Sequence, residues 1–133
     1  MRSRARECAF KLIFASEFGD NETRRAVYRA AELNEEEAEY ADRLVALVNG
    51  HRDVLASILD KYSIGFSQKR MFPVDRSVLL LALAEIMYVE DVPSVVSIDE
   101  AVGLVKKYST EKGAGFVNGL LAAVIAGDKA GVY

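Results

Sequence analysis

The sequence predicts an all-α fold of about seven helices, and two observations carry that expectation. The stretch Asp75–Glu90, DRSVLLLALAEIMYVE, has one charged residue between Ser77 and Tyr88, Glu85, and would turn apolar side chains to every side of a helix. A helix apolar all round is buried all round, and this one falls short of the about 20 apolar residues that cross a bilayer. Elsewhere apolar residues recur at spacings of three and four, and no stretch alternates convincingly as a strand does. Asp75–Glu90 is therefore expected to be the central helix of one soluble domain. Pro73 cannot lie inside a helix, and Asp75 just after it suits an N-cap. Glu85 is the anomaly on this helix, because a buried carboxylate needs a partner. It either reaches solvent or a Lys or Arg, or it marks a patch that faces another protein.

The remaining helices follow in chain order. Met1–Phe18 places Ala5, Cys8, Ala9, Leu12 and Ile13 on one face, the expected core face. Phe10 and Phe14 point elsewhere, so this helix either lies between neighbours or shows a second apolar face to a partner. Arg2, Arg4 and Arg6 crowd its first turns, where cations oppose the helix dipole. Helix stability does not explain them; they are either a solvated end or an arm for phosphates. Gly19-Asp20-Asn21 reads as a turn, with a short helix over about Glu22–Ala31. Asn34 and Glu37 have the spacing of a capping box. Beyond them Leu44, Leu47, Val48, His51, Leu55, Ile58 and Tyr62 form one stripe through Gly50, giving one long helix or two nearly collinear ones. His51 reads as an interhelical residue rather than a metal ligand, since the chain has no second His.

Ser63–Phe72 is a polar connector that carries Lys69 and Arg70. After the central helix, Pro93 breaks the chain, and Ser97 with Glu100 suggests a second capping box. Lys106 and Lys107 fall in the last turns of that helix, where cations are favoured. Ser109–Gly115 reads as a small-residue loop, followed by a helix with Phe116, Val117, Leu120, Leu121, Val124 and Ile125 on its apolar side. Gly127–Tyr133 reads as a loose tail.

Bulk composition narrows the function classes. The 133 residues suit one domain, and 51% hydrophobic residues suffice for a core. Lys and Arg total 17 against 20 Asp and Glu, a net charge of −3, so nucleic-acid binding would require a local basic patch. A single cysteine, Cys8, excludes an internal disulfide and a cysteine metal cluster. The N-terminus lacks the apolar core of a signal peptide, which makes a cytoplasmic location the default. There is no Gly-rich phosphate loop and no nucleophile beside a base. Asp99 and Glu100 are neighbours on a helix and point about 100° apart, so they are not a catalytic pair. The expectation is a protein that is not an enzyme and uses neither metal nor cofactor.

Four segments together resemble the NusB family of bacterial transcription antitermination factors. RSRARECAFKLIF resembles the family's arginine-rich first helix, and VDRSVLLLALAEI resembles its central "vdraiLRlAlyEl" segment. VPSVVSIDEAVGLVKKYST is similar to its "diP…VaInEAvelaK.f" segment, and Phe116-Val117-Asn118-Gly119-Leu120-Leu121 matches its FVNGvL motif. Order and spacing agree across most of the chain. Leu80, Ala84 and Gly115 depart from the family, which has arginine, tyrosine and often a basic residue there.

The resemblance implies two small helical bundles, here about 1–62 and 73–133, packed into a single domain. It implies a non-catalytic factor that binds boxA, a short single-stranded element of ribosomal RNA leaders, together with the ribosomal protein NusE. NusA, NusG and RNA polymerase would complete the complex, and elongation would then resist termination. It casts Arg2, Arg4 and Arg6 as RNA contacts, and Phe116 and Asn118 as residues of a loop-to-helix corner lining the RNA site. Lys112 would add a phosphate contact. An aromatic ring there can stack a base and a helix N-terminus can hold phosphate; core packing for Phe116 and a helix-end hydrogen bond for Asn118 are the alternatives. Phe14 and Glu85 resemble NusE-facing positions. The competing expectation is a protein-only module, such as a homodimer burying the arginine-rich helix.

Overall fold

The computed structural model describes residues 2–19, 24–63 and 68–129. The helices are α1 (Ser3–Glu17), α2 (Arg24–Ala30), α3 (Glu35–Gly50), α4 (Arg52–Tyr62), α5 (Pro73–Tyr88), α6 (Ser94–Tyr108) and α7 (Glu111–Lys129), with a 3-10 turn at Gln68–Arg70. Among the described residues there is no strand.

Helix α5 is the axis of the molecule. It packs against α1, α3, α4, α6 and α7, and every residue from Ser77 to Glu85 is buried. One continuous apolar core runs from Ala5 to Val124. The helix begins one turn earlier than the sequence suggests. Pro73 occupies the first helical position, where a missing N–H costs nothing, and Phe72 is the N-cap. Asp75 is thus inside the first turn and does not cap it.

Helix α1 lies between neighbours. Its face of Ala5, Cys8, Ala9, Leu12 and Ile13 is buried, and so is Phe10. Phe10 meets Tyr108 of α6 with ring centroids 5.2 Å apart. The same seam carries Glu7, which accepts hydrogen bonds from Lys107 Nζ (2.6 Å) and from the Tyr108 hydroxyl. Partial burial works against the Glu7 charge, but these two donors outweigh it and hold the carboxyl below its ordinary 4.5. A group depressed in the folded state stabilises above its unfolded pKa and loses that contribution as pH falls through its folded value. Urea unfolding at about pH 5 and about pH 3 should therefore show a smaller acid loss for Glu7→Gln than for the unmutated chain. Equal losses would mean that Glu7 is not held.

The Asn34–Glu37 capping box forms at the start of α3. Glu37 N donates to Asn34 Oδ1 (2.8 Å), and Asn34 N donates to Glu37 Oε1 (3.0 Å). The stripe through Gly50 divides into two helices at His51, which leaves helical geometry with φ −129° and ψ 22°. His51 stacks on Tyr88 of α5, centroids 4.0 Å apart and planes 17° from parallel, which fixes it as an interhelical residue. Among the described residues no group of side chains could hold a metal ion, and no helix is long and apolar enough to cross a membrane.

Two helix starts differ from expectation. Helix α6 begins at Ser94, and Ser97 is buried inside it with its hydroxyl turned to Glu85, so no second capping box exists. Helix α7 begins at Glu111, because the Thr110 hydroxyl accepts from Gly113 N (2.8 Å) and caps the first turn. The expected loop through Gly115 is therefore mostly helix, and Phe116 sits in the second turn. Helix α7 also runs past Gly127. The expected turn at Asp20–Asn21, the connector residues Gly65 and Ser67, and the tail 130–133 lie outside the described residues.

Candidate functional site

The arginine-rich start of α1 divides into an interior residue and two outer ones. In a helix, positions two apart point about 200° around the axis, which turns Arg4 away from Arg6; Arg2, four positions from Arg6, lies on the same side over the Tyr40 ring but at the N-cap, outside the core. Arg6 is directed inward and is 5% exposed. Its Nε donates to both Glu85 oxygens (3.0 and 2.8 Å), and its Nη1 donates to Glu100 Oε1 (2.8 Å). Glu85, 2% exposed, also accepts from the Ser97 hydroxyl (2.6 Å) and from the Tyr40 hydroxyl. Burial, then the bond to Glu85, push the Tyr40 phenol above its usual range, so it stays protonated and donating. Four helices, α1, α3, α5 and α6, thus meet at one carboxylate.

This corrects two expectations. Arg6 does not face solvent where a phosphate could reach it, and Glu85 does not face a partner. A charge on an otherwise apolar helix was explained by the plainer alternative, pairing with an arginine. The physical reason is the cost of an unpaired buried ion, which ties the two residues to each other.

Arg2 and Arg4 stay at the surface. The Arg2 guanidinium lies 4.1 Å from the centre of the Tyr40 ring and pairs with Asp91 (3.2 Å). Its hydrogen bond to Asp91 raises its pKa further, and the same bond lowers that of Asp91. Arg4 pairs with Glu37 (3.2 Å) and donates to the Ala31 carbonyl (3.3 Å). Their side chains are 39% and 54% exposed.

The second cluster lies at the other end of α5. Arg70, Phe72, Asp75, Lys112, Gly113 and Phe116 line most of a hollow of about 480 Å³. Lys112 is exposed and Phe116 half-buried. Asn118 is exposed two residues further along α7, inside the helix rather than at its end. Arg6 is fixed at Glu85 and the hollow at Asp75, ten positions apart on α5, which amounts to about 15 Å at 1.5 Å per residue. The leading arginines and the Phe116 corner are therefore two separate patches toward opposite ends of the central helix.

Phe14 is half-buried in a ladder of rings, 5.9 Å from Phe10 and 5.0 Å from Phe18. Phe18 ends the ladder, 63% exposed. The sequence reading missed Phe72 and Asp75 as members of the hollow. The available signal was an aromatic at the end of the basic connector, directly before Pro73.

Comparison with known proteins adds three findings. The model of the NusB family matches residues 3–126. A transcription antitermination protein NusB of Symbiobacterium thermophilum is 37% identical, over 96% of this chain and 91% of its own length. Two solved structures share the fold at 32% identity. A chain in a crystal structure of a plectonemic RNA supercoil has a TM-score of 0.88 with 94% of both chains covered. A chain in a crystal structure of antitermination factors NusB and NusE in complex with dsRNA has a TM-score of 0.83, covering 92% of this chain and 94% of that one.

Proposed function

The chain belongs to the NusB family, and from that premise we infer that it is a transcription antitermination factor that binds boxA-type single-stranded RNA jointly with NusE. The observation that carries the reading is the likeness, over almost the whole chain, to a structure of NusB and NusE in complex with dsRNA. The chain acts by binding, in the cytoplasm, and catalyses no reaction. NusA, NusG and RNA polymerase are the assembly in which the bound pair takes effect. Exposed Phe18 and half-buried Phe14 offer NusE an aromatic edge, a role no longer open to Glu85.

RNA contact falls to Arg2 and Arg4 at one patch and to Lys112, Phe116 and Asn118 at the other. Arg2 is held by the exposed Asp91, and such surface pairs are weak in water and exchange readily for phosphate. Arg4 pairs with the buried Glu37, but its own side chain is 54% exposed and open to an incoming phosphate. Three or four phosphate contacts give a log–log salt slope of about −2 to −3, at about −0.7 each for single strands. The double variant Arg2→Ala/Arg4→Ala should flatten that slope by about 1.4 and weaken binding to a boxA oligomer. An unchanged slope and affinity would remove the arginine patch from the RNA site.

A further inference from the structure

We propose, on the reading that this chain binds RNA, that the outer face of α2 is a second seat for the RNA backbone, where Arg25 and Arg29 hold nucleotides that flank the boxA element. Helix α2, RRAVYRA, carries three arginines and no acid, in a chain whose net charge is −3. Arg24 is engaged by Asp42 (3.2 Å), which also accepts from the Tyr28 hydroxyl (2.7 Å). Arg25 and Arg29 are exposed, and among the described residues neither forms an ion pair or a side-chain hydrogen bond. Folding has little use for them. Four positions apart, they share one face of the helix, where like charges repel. The last turn favours a cation at Arg29 but gives nothing to Arg25.

The end of α2 joins this face to the arginine patch of α1. Arg4 Nη1 donates to the Ala31 carbonyl (3.3 Å), so a guanidinium already assigned to RNA stands at the carboxyl end of α2. That end is pinned. Glu32 N donates to the Arg29 carbonyl (3.0 Å), Leu33 N donates to the Tyr28 carbonyl (3.1 Å), and Glu32 turns the chain at φ 54°. So short a helix does not hold by itself. These bonds, with Val27 and Tyr28 packed on the core, fix where its arginines stand. From Arg4 the basic face continues to Arg29 and, about 6 Å further along the axis, to Arg25. The acids that follow, Glu35–Glu37, suit the positive end of α3, and Glu37 is taken by Arg4.

The chemistry of the face names its occupant. It offers guanidinium charge and donors, while the one aromatic of α2, Tyr28, is half-buried with its hydroxyl engaged. Such a surface holds phosphates and reads no base edge. None of the four segments that resemble the NusB family includes α2. The contact therefore adds to the boxA site, through backbone outside that element and irrespective of its sequence.

The test compares a boxA oligomer with the same oligomer extended by uridines at its 5′ or its 3′ end. Two added phosphate contacts steepen the log–log salt slope by about 1.4. Extension at one end should therefore tighten binding, and the gain should shrink about sevenfold between about 50 and about 200 mM salt. Arg25→Ala/Arg29→Ala should lose the gain while keeping its circular dichroism spectrum and its urea midpoint. Arg25→Lys/Arg29→Lys should retain it, because a contact made by charge accepts either cation. Lys106→Ala, which removes an exposed charge from α6, should retain it as well. An extension that adds nothing to the unmutated chain, or a gain that survives Arg25→Ala/Arg29→Ala, overturns the second seat and leaves boxA binding standing. Equal weakening of the short and extended oligomers by that variant would put the two arginines in the boxA site itself and overturn the flanking role. Loss of NusE capture without RNA, with the gain intact, would assign the face to a protein instead. No binding of boxA RNA, extended or not, with NusE present would overturn the RNA reading as well.

Discussion

Arg6→Ala is expected to lose about 3–5 kcal/mol of stability in urea unfolding, the range for breaking a buried ion pair from one side. The loss arises less from the removed contacts than from what remains. Glu85 would stay buried among Leu81, Ala82 and Ala101 with its cationic partner gone. Tyr40 and Ser97 still donate to it, but hydroxyls do not neutralise a carboxylate. Adding Glu85→Gln to Arg6→Ala should recover part of the loss, because the amide removes the unpaired charge and keeps an acceptor for both hydroxyls. Small domains have only about 5–15 kcal/mol to lose, so the single variant should be partly unfolded under mild denaturant. A loss under about 1 kcal/mol would contradict an interior Arg6. The consequence for function is direct. Weak RNA binding by an Arg6 variant would report unfolding, so of the three leading arginines Arg2 and Arg4 are the ones informative about the RNA.

Leu83→Ala is expected to cost about 2–5 kcal/mol, the range for a large-to-small change in a packed core. Leu83 is 0% exposed, in the part of α5 that is buried on every side. Helices surround it, and they cannot all shift inward to fill the space without disturbing one another. Val95, 62% exposed on α6, provides the control: Val95→Ala should stay within about 0.5 kcal/mol. If the two variants unfolded at the same denaturant concentration, α5 would not be the axis of the core.

The fold was legible where apolar pattern alone decides it. An all-apolar helix has only one comfortable place, and α5 occupies it. The Asn34–Glu37 capping box was equally legible, since both of its bonds are local to four residues. Helix starts set by long-range demands were not. Ser97 has the sequence of a cap, but the buried Glu85 carboxylate draws its hydroxyl away, and α6 starts a turn earlier. The site was legible in part for the same reason. That the leading arginines were not there for helix stability was readable; which of them pointed inward depended on Glu85 and Glu100, which lie 79 and 94 residues away in sequence. Asp75 has the sequence of a cap, but Pro73 starts α5 a turn earlier and Gly113 of α7 closes over its carboxylate, neither of which the local sequence shows.

The most direct measurement is capture of NusE on the immobilised chain, with and without a boxA transcript and with a scrambled RNA of the same length. Two binding events on one scaffold should reinforce each other, so boxA should raise the NusE retained well above the level without RNA, and the scrambled strand should not. NusE capture indifferent to RNA, with no boxA retained at any NusE concentration, would contradict the joint binding of RNA and protein on which this account rests.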